Sequence, residues 1–106
     1  MNGNEYQKLA LRTCPESLEK PERLLNAVLG LSGESGEVAD HVKKHLFQGH
    51  ELDRMAVVNE LGDVLWYCAL LADAVGVDLE TAMELNVAKL QNRYPDGFSK
   101  ERSINR

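Results

Sequence analysis

Val57-Val58-Asn59-Glu60-Leu61-Gly62-Asp63-Val64-Leu65-Trp66-Tyr67-Cys68-Ala69-Leu70-Leu71 decides how this chain folds. Val57-Val58 and Val64 to Tyr67 are β-prone types, but the period of the surrounding apolar residues is helical. The stretch therefore predicts a helix over about Asp53 to Val75, stopped by Gly76, a residue suited to a helix C-terminus. A helix that is apolar nearly all round is a buried helix. One chain of 106 residues can hardly cover it on every side, so a second subunit is expected to help.

Outward from this segment the pattern stays helical. Toward the C-terminus, Asp78 caps a helix from Leu79 to about Arg93, and Pro95-Asp96-Gly97 reads as a turn. The tail from Phe98 to Arg106 is polar and is expected to dock loosely. Toward the N-terminus, Leu24, Leu25, Val28, Leu31, Val38, Val42 and Leu46 give helical spacing from Pro21 to about Leu46. Gly30, Gly33 and Gly36 weaken it locally and permit a close approach or a kink. A short first helix covers about Glu5 to Thr13, ending before Pro15. No convincing strand appears, and the reading is an all-α, four-helix bundle-type domain over 1–106, with its core at about 22–98.

Composition limits the function classes. With Lys plus Arg at 12 and Asp plus Glu at 17, the net charge is −5, which argues against broad nucleic-acid binding. No apolar run is read as a membrane span, and the first residues lack the form of a secretory signal. Cys14 and Cys68 make no disulfide framework, so a reducing cytoplasm is the simplest expectation. Cys68 lies in the apolar run and reads as a small core residue.

Two acidic pairs carry the chemistry. Glu34 with Glu37, and Glu60 with Asp63, each place two carboxylates on one helix face about one turn apart. Glu60 and Asp63 sit in the most apolar helix, where bare like charges are costly. A divalent cation compensates directly, and oxygen ligands suit Mg²⁺ or Mn²⁺. Antiparallel neighbours would bring the two pairs together, with Gly33, Gly36 and Gly62 removing side-chain bulk. Asn86, Lys89 and Arg93 share a face of the fourth helix and, beside such a cation, suit a polyanion. Tyr67 follows Asp63 by one turn and could flank a base or sugar, or be a core aromatic. Gln7 could read a base edge or be an ordinary surface residue, and Trp66 reads as core or interface. Lys43 and Lys44 either reach phosphates or complement the end of the second helix.

Other chemistries fit less well. His41 and His45 fall near the Glu34 face, but neither acidic pair has the Glu-x-x-His form of bundle di-iron sites. Ser35 has no evident base, and no P-loop phosphate motif is present.

Taken together, Gly33 to Ala39 with Lys43-Lys44, Glu60 to Tyr67, and Asn86 through Arg93-Tyr94-Pro95 resemble the all-α nucleoside triphosphate pyrophosphohydrolases of the MazG type. The likeness runs over roughly 24–98, and Glu5-Tyr6-Gln7 is similar to the opening of short members. It implies hydrolysis of a nucleoside triphosphate to the monophosphate and pyrophosphate, with magnesium held by Glu34, Glu37, Glu60 and Asp63. It also implies phosphate contacts from Lys89 and Arg93, nucleotide contacts from Asn86, and assembly as a dimer or a dimer of dimers. Glu34 or Glu37 is the expected proton acceptor. The rival expectation is a helical interaction protein of the same fold without turnover.

Overall fold

A computed structural model describes all of residues 1–106. It is all-helical and sheet-free: α1 (Gly3–Leu11), α2 (Lys20–Phe47), α3 (Arg54–Ala74), α4 (Leu79–Arg93) and α5 (Lys100–Ile104). Side chains that satisfy the free N–H groups of the first turn set the starts. Asn2 accepts from the N–H of Glu5 at 2.8 Å, Asp53 from Ala56 at 3.0 Å, and Asp78 from Thr81 at 2.8 Å. At the end of α3, Gly76 takes φ +84°; its N–H donates to Asp73, and the N–H of Val77 donates to Ala72. This paired closure needs a left-handed residue, which is why glycine stands there.

The antiparallel pair of α2 and α3 is the body of the fold. α2 runs 28 residues as continuous helix through Gly30, Gly33 and Gly36. Of the glycines around the acidic motifs, only Gly30 meets a neighbour: a Cβ there would overlap the Tyr67 ring, whereas Gly33, Gly36 and Gly62 face open space. The core at this seam consists of Cys14, Ala27 and Leu70, with Leu11, Leu18, Trp66, Tyr67 and Leu71 packed around it.

α1 crosses the corner between α3 and α4. Trp66 on α3 donates its indole N–H to the Ala10 carbonyl at 3.0 Å and to the Thr13 hydroxyl at 2.8 Å. Buried Gln7 donates to the Ala69 carbonyl at 3.1 Å and accepts from the N–H of Leu79 at 2.9 Å. Asn4 accepts from the N–H of Glu80 at 3.0 Å. α1 thereby supplies acceptors to two free N–H groups at the start of α4.

Beyond this corner α4 leaves the body. Residues 82–92 are all exposed, so one chain does not close a four-helix bundle. α3 is likewise not buried all round: Ala69, Leu70 and Ala72 are buried, while Val58 and Leu61 are 53% and 51% exposed. The accessible surface is 7967 Å², against roughly 5,900 Å² for a compact chain of this mass. The radius of gyration is 16.8 Å, where about 13 Å is usual. α3 is long and apolar enough to cross a membrane by length and composition alone, a property that the core helices of soluble proteins share. Glu60 and Asp63 within it, facing Glu34 on α2, belong to a packed helix; in a bilayer centre they would be costly.

Candidate functional site

The α2–α3 seam that builds the core also aligns the acids. Glu34 from α2 and Glu60 and Asp63 from α3 bring one carboxylate oxygen each to within 4.8 Å of one another. Glu34 and Glu60 are half-buried and Asp63 is exposed. A hydrogen bond with Glu60 holds the Glu34 carboxyl above the usual glutamate range. Partial desolvation and the charges of Asp63, Glu60 and Glu37 push the same way. Crowding of this kind is what a cation relieves. An all-oxygen donor set fits a hard divalent ion such as Mg²⁺ or Mn²⁺, so the residues present suit the expected metal.

Glu37 is not one of the converging ligands; it is exposed and acts on Glu34 from outside the triad. His41 is not among the converging atoms; its Nε2 flanks the triad 3.8 Å from Glu60 Oε1. Tyr6 is a neighbour that sequence reasoning missed. Its hydroxyl donates to the Gly62 carbonyl at 3.5 Å, and burial, then Cys68 and Asp63, raise its pKa. Nothing in the helical period of α1 marks Tyr6 as facing α3 rather than solvent.

Three other expected contacts are placed differently. Gln7 is a strut: its amide is engaged by the backbones of α3 and α4. The Tyr67 ring lies against α2 at Gly30 and edge-on to Trp66, centroids 4.9 Å apart, so it is a seam aromatic. Lys44 is bound to Asp40 at 2.8 Å, a half-exposed pair that raises the pKa of the lysine and lowers that of the aspartate. It is not free to reach a phosphate while that pair holds.

Asn86, Lys89 and Arg93 lie on the exposed half of α4 and its end. Lys89 and Arg93 line a concavity shared with α5, and none of the four motif acids borders it. Within one chain, then, the cations and the acids form two separate surfaces.

A family model of the MazG nucleotide pyrophosphohydrolase domain matches residues 22–98. The chain belongs to the MazG family. It is also 39% identical over 89 residues to the Gene 37 protein of Mycobacterium phage L5, covering 80% of this chain and 78% of that protein. No solved structure matches. The MazG match spans α2, α3 and α4 and so contains all four motif acids together with Asn86, Lys89 and Arg93. α1 and α5 lie outside it. Membership in a pyrophosphohydrolase family points to hydrolase activity, and the acid triad is a plausible place for its metal.

Proposed function

We propose that this protein is a Mg²⁺-dependent nucleoside triphosphate pyrophosphohydrolase. It would convert a canonical or modified NTP or dNTP to the monophosphate and pyrophosphate, as nucleotide-pool housekeeping in the cytoplasm. The observation that carries the reading is the convergence of Glu34, Glu60 and Asp63 from two helices in a MazG chain. A divalent cation bound there, with Mn²⁺ as a substitute, supplies Lewis acidity toward phosphate oxygens and water.

The chain's own residues supply the rest. Glu34, Glu60 and Asp63 hold the ion. Glu37 is left outside the triad, so its carboxylate is the one available to take a proton from the attacking water. The water oxygen bonds to the α-phosphorus, the bond to the bridging oxygen breaks, and pyrophosphate leaves. Lys89 and Arg93 neutralise that leaving group, Arg93 by a planar fork and Lys89 as a point charge. Because they do not meet the acids within one chain, we place them at the acids of a second copy. Two observations support this assembly. The surface exceeds that of a compact chain by roughly 2,000 Å² per chain, or about 4,000 Å² for a pair, within the range of obligate dimers. Leu65 on α3 and Leu85, Val87 and Leu90 on α4 stand exposed.

The test is pyrophosphate release from a panel of canonical and modified nucleoside triphosphates, with and without Mg²⁺. Metal-dependent release from at least one is the expected result. No release from any, by folded protein, would favour a silent interaction protein of the same fold.

A further inference from the structure

We infer that α5 completes the phosphate-binding surface: Arg102, with Arg106 beside it, joins Lys89 and Arg93 around one concavity that takes the polyphosphate chain of the nucleotide. The inference rests on the reading of Lys89 and Arg93 as phosphate contacts. It goes beyond the family match, which ends at residue 98 and assigns nothing to α5.

The reversal that brings α5 back is built locally. Gly97 takes φ +91° and donates its N–H to the Tyr94 carbonyl at 3.1 Å, and the Tyr94 and Phe98 rings pack with centroids 5.4 Å apart. Ser99 then caps α5 by accepting from the N–H of Arg102 at 3.3 Å. The result is a concavity of about 640 Å³ in which Lys89, Asn92 and Arg93 of α4 and Arg102, Asn105 and Arg106 of the returning chain take part. No hydrophobic side chain lines it. Sites for apolar ligands are mostly apolar, so this one suits a hydrophilic partner.

Its charge says which. Four cationic side chains border the concavity against one acidic side chain, Glu101, in a chain of net charge −5. None of the four is in an ion pair; the pairs of this chain involve Arg23, His41, Lys43 and Lys44 instead. Helix dipoles account for one cation in the last turn of α4 and one in that of α5. They do not account for both helices turning theirs toward one space. Such a cluster concentrates an anion of several charges, and a phosphate chain has the oxygens to match guanidinium forks.

The experiment measures tripolyphosphate binding by calorimetry, at fixed ionic strength without divalent cation. It compares wild type, Arg102→Gln, Arg102→Lys and the double variant Arg102→Gln/Arg106→Gln. KM and kcat for the best substrate of the panel are measured alongside. Arg102 is exposed, so matching thermal unfolding curves are expected. Arg102→Gln should weaken tripolyphosphate binding about tenfold and raise KM similarly, with kcat little changed. Arg102→Lys should recover part of the loss, and Glu60→Gln should leave tripolyphosphate binding intact. Equal binding by wild type and the double variant, or no binding by wild type, overturns the inference. Binding lost in the variants of a protein that hydrolyses no triphosphate would uphold the anion site and reject the pyrophosphohydrolase. Normal hydrolysis with unchanged KM and binding in the variants would do the reverse.

Discussion

Glu34 of α2 and Glu60 of α3 bring carboxylate oxygens to within 4.8 Å of each other, and a hydrogen bond with Glu60 keeps the proton on Glu34 above the ordinary glutamate range. Folded, metal-free protein therefore holds it more tightly than the unfolded chain does. The stabilisation is full below the ordinary glutamate pKa and is lost as pH rises through the raised one. Asp63 and Glu37 repel the charged form, while His41 beside Glu60 offsets them only when protonated. Melting temperature in a chelator should fall with rising pH across this window. Saturating Mg²⁺ takes the proton's place and should flatten or reverse the trend. Identical pH profiles with and without Mg²⁺ would count against a metal at this triad.

Glu60→Gln and Asp63→Asn each remove one ligand while keeping the side chain's shape. Turnover should drop by more than the roughly 10–100-fold that losing an outer-sphere partner of a metal costs. The helical circular dichroism should be retained. Normal activity in either purified variant would remove the metal assignment.

If Lys89 and Arg93 serve the acids of a second copy, two dead variants can rescue each other. Lys89→Gln/Arg93→Gln and Glu60→Gln, unfolded together and refolded as a mixture, should regain activity absent from either alone. Up to about a quarter of the sites in a randomly mixed dimer would combine intact acids with intact cations. Sedimentation should show a dimer or tetramer throughout. A monomer with full activity would contradict the composite site.

Gly30 lets the Tyr67 ring lie on the α2 backbone. Gly30→Ala forces the ring aside and should cost about 1–3 kcal/mol in urea unfolding. Adding the same methyl at Gly33, which faces open space, should not lower stability, because alanine favours a helix interior.

Gln7→Leu separates strut from base reader. It leaves the N–H of Leu79 without its acceptor and should destabilise the fold by about 1–3 kcal/mol. The order of preference among bases should not change; a changed order would restore the role in recognition.

The helix plan was legible because its punctuation is chemical. α4 begins and ends where Asp78 and Arg93 put it, and α3 lies within a residue of its expected span. Asp53, Asp78 and Gly76 each do a job that few residue types can do. α5 escaped notice because five residues show no periodicity, although Ser99 is an ordinary cap. The meeting of Glu34 with Glu60 and Asp63 followed from spacing and an antiparallel pair. The exclusion of Glu37 did not, since i,i+3 spacing puts two carboxylates on one face without deciding which is turned to the neighbour. The glycines were hardest to read. Four interrupt the acidic motifs and their approaches, yet only Gly30 has a neighbour, and that depends on where the Tyr67 ring comes to rest.

The corner that α1 spans has a leverage that its own chemistry does not reveal. α4 is 15 residues long, about 22 Å, and its own chain anchors it at the first turns, through Asn4 and Gln7. A tilt of about 10° at that anchorage would swing Arg93 through about 4 Å, more than the length of a hydrogen bond. A helix that holds no metal ligand and no phosphate contact thus sets the aim of the cations at the far end of the arm. Changes in α1 should be felt in the chemistry first as mispositioning.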